Sequence, residues 1–105
     1  MTLMNAENES AFRATINEGI SLVDYAAPWC PPCKPLLPIL EELGEAYADS
    51  IRVIKVNCDD LPGAASEAGV MSLPTVILYK DGVPMEKLIG LRPKSAYQAI
   101  IDKHL

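Results

Sequence analysis

The chain has 105 residues, of which 50% are hydrophobic and 22% are charged, and its formal net charge is −5. This size and composition suit one compact globular domain over residues 1–105, with a core large enough to need neither disulfide staples nor a structural metal. The acidic balance and the scattered basic residues argue against a nucleic-acid or anionic-membrane surface, because both need clustered Lys and Arg. No apolar run approaches ~18 residues and the N-terminus lacks a signal-peptide pattern, so we expect a cytoplasmic protein without a membrane span.

The spacing of apolar residues predicts helices and strands in alternation along the chain. A weak strand over 2–4 precedes an amphipathic helix over 6–17, which Phe12 anchors in the core and Gly19 ends. Residues 20–27 are almost continuously apolar, which is typical of a central strand covered on both faces. The remaining predicted elements are a helix over 34–48, a strand over 51–57, a helix over 61–68, strands over 75–79 and 84–89, and a helix over 93–103.

After the first helix these elements follow the order β-α-β-α-β-β-α, which predicts an α/β fold. Strands separated by helices pair in parallel, whereas the hairpin turn Asp81-Gly82 adds an antiparallel edge strand. We therefore expect a mixed central sheet with helices on both faces. In the last helix we expect Ala96, Ala99 and Ile100 on the inner face.

Four prolines mark the region before and inside the helix predicted over 34–48. Pro31 and Pro32 suit its first turn, but Pro35 and Pro38 lie deeper. There each proline removes a backbone hydrogen bond and crowds the carbonyl four residues earlier. We therefore predict a bend near Pro38.

Cys30 and Cys33 are separated by two prolines and lie between an apolar strand and a helical pattern. In a helix that begins near Cys30, side chains three positions apart share a face, so the two sulfurs can close a disulfide. The first sulfur would then lie at the helix N-terminus, where partial positive charge stabilises a thiolate. Trp29 and Pro31 are expected to leave that sulfur exposed on one side.

Such a close cysteine pair also has other interpretations. Three cysteines are too few and too odd for a secreted disulfide framework, and in a reducing compartment a close pair is more often catalytic or metal-binding than structural. The alternatives are half of a zinc site or a structural bridge, but a four-ligand zinc site needs a second pair, and Cys58 and His104 lack suitable spacing. We therefore expect no metal, and the lack of a glycine-rich dinucleotide fingerprint predicts no cofactor.

The dithiol is one of a set of motifs that extends over almost the whole chain. They are Phe12, Val23-Asp24-Tyr25, Ala27-Pro28-Trp29-Cys30, Pro32-Cys33-Lys34, Pro38-Ile39-Leu40, Lys55-Val56-Asn57 with Asp59, Leu73-Pro74-Thr75, Lys80-Asp81-Gly82 and Gly90. With these residues the chain resembles the thioredoxin family. A lone Cys-x-x-Cys is weak evidence, but its position after a strand and Trp29, well ahead of Pro74, makes the pattern specific.

This resemblance implies a thioredoxin fold and a protein-disulfide reductase, that is, a thiol–disulfide oxidoreductase that delivers electrons to disulfides of partner proteins. It also implies re-reduction by a thioredoxin-reductase-like donor and a monomeric state. Three positions depart from the family pattern: Ala26 replaces a common aromatic residue, Pro31 replaces the usual glycine, and Pro35 is an additional proline. These departures bear on the redox potential and the partner range, and the direction of the Pro31 effect stays open.

The resemblance also implies unequal roles around the dithiol. Cys30 is expected to be the nucleophile that attacks the partner's disulfide, and Cys33 the residue that resolves the mixed disulfide. Asp24 is either a solvated strand-end residue or a buried carboxylate whose pKa is raised toward neutrality, which would suit it to proton transfer. Lys55 is either the charge partner that tunes Asp24 or a solvent-facing strand lysine.

Pro74 is expected to follow a cis peptide bond, although most X-Pro bonds are trans. The Leu73 backbone would then be open to an extended partner segment that hydrogen-bonds as an added strand. Val70 and Met71 are either part of an apolar docking patch or part of the core. The expected substrate-binding residues are Trp29, Pro31, Met71, Leu73, Pro74, Gly90 and Leu91.

Two further residues receive no catalytic role. Cys58 is interpreted as a buried or edge-strand thiol, and His104 as a residue that interacts with helix-end carbonyls. Within the same chemistry, the alternative to a reductase is a thiol oxidase or isomerase with a more oxidising potential. A binding module that uses the fold as a scaffold is the alternative from a different class.

Overall fold

A computed structural model describes residues 3–105 of the protein. In this range the strands are β1 (Leu3–Asn5), β2 (Ile20–Ala26), β3 (Ile51–Asn57), β4 (Thr75–Lys80) and β5 (Val83–Ile89). The helices are α1 (Glu9–Ile16), α2 (Leu36–Ala46), α3 (Pro62–Glu67) and α4 (Lys94–His104), with a 3-10 helix over Pro31–Cys33 ahead of α2. The first predicted strand corresponds to β1, and its residue Thr2 lies outside the described range.

The strands of this range form one mixed sheet in the order β1-β3-β2-β4-β5. β3 is parallel to both β1 and β2, whereas β4 is antiparallel to both β2 and β5. Asp81 and Gly82 make the turn between β4 and β5 with φ values of 51° and 83°, a region that glycine adopts without steric cost. The predicted mixed sheet and its antiparallel hairpin are confirmed.

Two apolar clusters cover opposite faces of this sheet, because successive side chains of a strand point to opposite faces. Leu22 of β2 belongs to the cluster beneath α2 and α4, which also contains Leu40 and Tyr97 and is called the α2/α4 core. Its neighbour Val23 belongs to the cluster beneath α1 and α3, which contains Phe12 and is called the α1/α3 core. The predicted helices on both faces are confirmed.

Helix α1 begins at Glu9, later than residue 6, because Asn8 caps it. The Asn8 side chain accepts a hydrogen bond from the Ala11 N–H at 2.8 Å, which satisfies one of the free donors of the first turn. Phe12 lies on the buried side of α1, as expected.

Helix α2 begins at Leu36, so Pro38 lies in its first turn. The N–H groups of a first turn have no helical partner, and a proline there removes no helical hydrogen bond. The reason for predicting a bend at Pro38 is therefore wrong.

Helix α4 buries Ile100 as predicted, but the rest of its inner face differs from the prediction. Tyr97 and Ile101 are buried beside Ile100, whereas Ala99 is exposed and Ala96 is only half-buried. Burial of the larger side chains removes more apolar surface from water, which favours this orientation. Among residues 3–105, no helix is long and apolar enough to cross a bilayer.

Candidate active site

The two cysteines of the motif are joined by a disulfide, with Cys30 and Cys33 Cα atoms 5.4 Å apart. β2 ends at Ala26, and in the turn that follows the Cys30 N–H donates to the Ala27 carbonyl at 3.2 Å. The Cys33 N–H then donates to the Cys30 carbonyl at 3.2 Å. The central strand thus delivers both sulfurs to the carboxyl end of the parallel part of the sheet.

The surroundings of Cys30 differ from the expectation in two ways. Cys30 precedes a 3-10 helix of three residues and not an α-helix, because Pro35 has no N–H to donate to the Pro31 carbonyl, and the Lys34 N–H donates to that carbonyl at 3.2 Å instead. The predicted α-helical N-terminus at this sulfur is therefore wrong. Cys30 is also only 3% exposed in the disulfide form, although Trp29 and Pro31 beside it are exposed.

The Leu73–Pro74 segment lies against the disulfide. Its peptide bond is cis, as the resemblance implied. Leu73 packs on a small buried cluster formed by Ala26, Ala27 and the two bridged cysteines. The start of β4 and the end of β2 therefore meet at the dithiol, although they are far apart in the chain.

Exposed apolar side chains surround this end of the sheet. Trp29 is 66% exposed, Met71 is 97% exposed and Leu91 is 42% exposed. Val70, by contrast, packs against the α1/α3 core. Of the two residues that could belong either to a docking patch or to the core, Val70 therefore belongs to the core and Met71 does not. Gly90 donates its N–H to the Pro74 carbonyl at 2.8 Å, which brings the residues after β5 to the same place.

Trp29 is held by a hydrogen bond that crosses the site. Its indole Nε1–H donates to the Asp59 carboxylate, with Nε1 to Oδ2 at 2.9 Å. Asp59 follows β3, where its own N–H donates to the side chain of Asn57 at 3.0 Å. A charged acceptor strengthens such a bond, and it fixes the ring beside Cys30.

Asp24 lies in the middle of β2 and is fully buried. Neither of its carboxylate oxygens has a hydrogen-bond partner among the described residues. Burial raises the pKa of this carboxyl from its ordinary value of 3.8 to about 7, and the charge of Lys55 partly offsets the rise. The solvated alternative for Asp24 is thus not what the structure shows.

Lys55 is the β3 residue that pairs in register with Asp24. It is half-buried and lines a cavity of about 160 Å³ together with Ala26, Ala27 and Cys33. Its ammonium group acts on Asp24 through space, since the ion pairs found among residues 3–105 do not include this one. The cavity thus brings Cys33 and Lys55 together, and Lys55 connects them to Asp24 through the pairing of β2 and β3.

Cys58 is a half-buried free thiol just after β3, and burial raises its pKa. Its N–H donates to the Ala26 carbonyl at 2.8 Å, which extends the pairing of β2 and β3.

His104 was predicted to interact with helix-end carbonyls, but its side chain pairs with Glu86 instead. Its Nε2 lies 2.7 Å from Oε2 of Glu86, a pairing across α4 and β5 that local sequence does not indicate.

Tyr97 was missed by the sequence analysis. Its ring is fully buried, and its hydroxyl oxygen accepts a hydrogen bond from the Arg92 N–H at 3.1 Å. The signal that identifies it is the helical spacing of Tyr97, Ile100 and Ile101, which places the three large side chains on one face.

No group of three or more His, Cys, Asp or Glu side chains within residues 3–105 is arranged to hold a metal ion.

The family model described as Thioredoxin matches residues 3–103 of the chain. The thioredoxin of Bacillus subtilis (strain 168) is 41% identical over 105 residues, which cover 100% of both chains. A thioredoxin of Staphylococcus epidermidis is 42% identical over 97 residues, covering 92% of this chain and 93% of the relative.

Solved structures agree with this result. The thioredoxin of Plasmodium falciparum superposes with a TM-score of 0.89 at 29% identity, covering 97% of this chain and 99% of that one. The oxidised form of mitochondrial thioredoxin 3 from Saccharomyces cerevisiae gives a TM-score of 0.85 at 36% identity, with 95% and 94% covered. With its bridged Cys30–Cys33 pair at the end of the central strand, the chain belongs to the thioredoxin family and is a thiol–disulfide oxidoreductase.

Proposed function

We propose that this protein reduces disulfides of partner proteins with Cys30 as the attacking thiolate and Cys33 as the resolving thiol. The observation that carries the proposal is the Cys30–Cys33 disulfide packed against Leu73, with the exposed Trp29 and Pro31 on the outer side. Cys33 is as buried as Cys30, but it instead lines the cavity that Lys55 shares, and Cys30 does not. This asymmetry supports the assignment of Cys30 to the partner and of Cys33 to resolution.

The reaction transfers two electrons from the dithiol to the partner. The Cys30 thiolate attacks one sulfur of the partner's disulfide, which forms a mixed disulfide and releases the other partner sulfur as a thiolate that takes up a proton. Cys33 then gives its proton to Asp24 and attacks the Cys30 sulfur, which releases the second partner sulfur as a thiolate. That thiolate takes up a proton, and Asp24 gives up the proton that it received from Cys33. The products are the Cys30–Cys33 disulfide and a partner dithiol.

Asp24 suits this proton transfer because burial raises its pKa to about 7. A general base works best when its pKa lies near the operating pH, since it can then both accept and return a proton. Lys55 supports the ionised form, because its positive charge lowers the same pKa. We assign Lys55 the role of tuning Asp24.

The partner docks on the apolar surface around the dithiol. In this proposal an extended segment of the partner pairs with the Leu73 backbone, as a strand is added to a sheet edge. The exposure of Met71 and Leu91 supports this assignment, and so does the placement of Gly90 next to Pro74. The substrate-binding residues are Trp29, Pro31, Met71, Leu73, Pro74, Gly90 and Leu91.

Catalytic turnover needs a separate electron donor, since each reaction leaves the disulfide form behind. The family implies a donor of the thioredoxin-reductase type. We further propose that residues 1–105 act as one monomeric domain in the cytoplasm, where the reducing environment suits a dithiol.

Insulin reduction, followed by the turbidity of the released chain, tests the assignment of the cysteines. Cys30→Ser abolishes turnover because no thiolate attacks, whereas Cys33→Ser traps a mixed disulfide with the partner. Cys58→Ser is the matched control and keeps the wild-type rate. Residual turnover in Cys30→Ser, or a trapped adduct in Cys30→Ser and none in Cys33→Ser, would contradict the proposal.

The same preparation separates a reductase from an oxidase. Equilibration against a glutathione buffer gives the reduction potential, and a reductase requires a value near or below that of the buffer. A strongly oxidising potential would favour the oxidase instead. A scaffold would keep its partner binding in Cys30→Ser and show no turnover in the wild type.

A further inference from the structure

Residues 90–93, called the docking segment, connect β5 to α4 and carry two of the proposed substrate-binding residues. Two of their backbone N–H groups are anchored to the body of the protein. Gly90 N–H donates to the Pro74 carbonyl at 2.8 Å, and Arg92 N–H donates to the Tyr97 hydroxyl oxygen at 3.1 Å. Leu91 stands between the two anchors and is 42% exposed, so the anchors fix the side chain that faces a partner.

The second anchor is the buried phenol of Tyr97, whose hydroxyl can also donate a hydrogen bond. A tyrosine hydroxyl has one donor besides its acceptor sites, and its oxygen already accepts from Arg92. An accepted hydrogen bond polarises the hydroxyl and makes its proton a better donor. The hydrogen bonds among the described residues give this proton no acceptor.

Asp24 is the charged group on the same side of the sheet as this hydroxyl. Leu22 precedes Asp24 by two positions on β2, so both side chains point to the same face of the sheet. Val76 on β4 is the residue that pairs in register with Asp24. Leu22 and Val76 both belong to the α2/α4 core, which also contains Tyr97. The Asp24 carboxylate is close enough to raise the pKa of the Tyr97 phenol, which burial raises most.

The two groups complement each other chemically. Within residues 3–105, the two buried oxygens of Asp24 accept from no donor, and the only hydrogen bond found for the Tyr97 hydroxyl is the one that it accepts from Arg92. We propose that Tyr97 is a positioning residue for disulfide reduction, whose hydroxyl couples the docking segment to the Asp24 carboxylate. This inference rests on the proposed function, because it assigns a new residue to the same site.

The other groups that face Asp24 come from different elements. Lys55 on β3 favours its ionised form, and the thiol of Cys58 lies within electrostatic reach. From β4 the facing residue is the apolar Val76, and Cys33 lines the neighbouring cavity with Lys55. Tyr97 is the group that α4 contributes, and it alone in this set also holds the docking segment.

Tyr97→Phe tests the coupling because it removes the hydroxyl and keeps the ring. Carboxyl-carbon NMR of the reduced protein follows the titration of Asp24 without any need for activity. We expect the Asp24 midpoint to move up by about half a pH unit, because the ionised form loses a dipole that favours it. The matched control is Tyr47→Phe, which removes the exposed Tyr47 hydroxyl bonded to Asp102 at 2.8 Å and leaves the midpoint unchanged.

A kinetic measurement tests the other end of the coupling. Loss of the Arg92 anchor loosens the docking segment, so KM for insulin rises by about threefold, which corresponds to about 0.6 kcal/mol. KM for a small disulfide, hydroxyethyl disulfide, stays at the wild-type value because that molecule does not need the segment. Both shifts are expected together in Tyr97→Phe, and an unchanged Asp24 midpoint or an unchanged KM for insulin overturns the inference.

Two further variants separate this inference from the proposed function. If Asp24→Asn has the pH profile of the wild type, the proton-transfer role of Asp24 is wrong, whatever Tyr97→Phe shows. If Leu91→Ser leaves KM for insulin unchanged, the docking role of the segment is wrong. When both variants behave as proposed and Tyr97→Phe resembles the wild type, the failure belongs to the coupling alone.

Discussion

Asp24 is the residue at which stability and function oppose each other. Its carboxyl is fully buried and has no hydrogen-bond partner in the described part of the chain. Such a group is costly to ionise, and this cost is the cause of its raised pKa. The same shift brings the proton affinity into the range that thiol chemistry needs near neutral pH. The position therefore exchanges folding stability for a usable base.

The pH dependence of stability follows from the direction of this shift. The folded-state pKa of about 7 lies above the ordinary value of 3.8, so the folded protein holds a proton that the unfolded chain releases between these values. The free energy of unfolding therefore falls as the pH rises through this window, and the whole loss is present above pH 7.

Asp24→Asn removes this loss. We expect the variant to gain about 2–4 kcal/mol in the free energy of unfolding at pH 8, and a gain that shrinks as the pH falls toward 4. Urea denaturation of the oxidised protein at pH 4.5 and at pH 8 measures the difference. A gain of the same size at both pH values would show that it does not come from the Asp24 charge.

The effect of Pro31 on the reduction potential also has a predicted direction. Gly at this position restores an N–H next to Cys30, which favours the thiolate. It also makes the reduced loop more flexible, so closing the disulfide costs more entropy with glycine than with proline. Both effects favour the dithiol, so Pro31→Gly raises the reduction potential by tens of millivolts, where ~30 mV corresponds to about 1.4 kcal/mol. Equilibration with glutathione decides this, and an equal or lower potential contradicts it.

At the scale of elements, the helix ends are governed by caps that sequence periodicity does not resolve. Helix α1 starts where the Asn8 side chain meets the Ala11 N–H, and α2 starts at Leu36, directly after Pro35. Both helices consequently begin later than the hydrophobic pattern predicted. The 3-10 helix between β2 and α2 is the consequence that matters for the site, because it determines how the two sulfurs are presented.

The Asn8 cap gives a prediction for α1. Asn8→Ala leaves the Ala11 N–H without its side-chain acceptor, so we expect a loss of about 1 kcal/mol in the free energy of unfolding. Asn8→Ser restores an acceptor and is expected to recover most of the loss. Urea denaturation of the wild type and the two variants tests this. If Asn8→Ala were as stable as the wild type, water would satisfy the Ala11 N–H equally well.

At the scale of the whole molecule, stability comes from the two cores on the faces of the sheet. The ion pair between Arg13 and Glu67 is exposed, with side-chain exposures of 50% and 61%, and pairs of this kind contribute little. The α2/α4 core and the α1/α3 core share the central strands β2, β3 and β4. Loss of packing on one face is therefore transmitted to the other.

Shared strands predict a single cooperative transition. Leu40→Ala in the α2/α4 core costs about 2–5 kcal/mol, and Phe12→Ala in the α1/α3 core costs about 3–5 kcal/mol. Each variant lowers the same urea midpoint with an unchanged m-value, because both faces unfold together. Arg13→Ala is the surface control, with an expected change within about 1 kcal/mol. Two separate transitions in either core variant would contradict this expectation.

The sequence by itself determined the order of the elements, the two faces of the sheet and the dithiol at the end of its central strand. These features depend on local patterns: the spacing of apolar side chains, the turn residues Asp81 and Gly82, and the position of Cys30 and Cys33 after β2. Periodicity also predicted that Asp24 could be buried, because its chain neighbours are apolar. The family resemblance supplied the roles that these patterns do not encode.

Only the tertiary structure decided which groups lie near the dithiol and which hydrogen bonds those groups make. Within residues 3–105 Asp24 has no hydrogen-bond partner, and this depends on every element packed around it, among them β3, β4 and α4, which are distant from Asp24 in the chain. The burial of Tyr97 and its bond to Arg92 depend on how α4 rotates against the sheet, a choice made by the summed packing of the large side chains. Such contacts join residues distant in sequence, so no local pattern contains them.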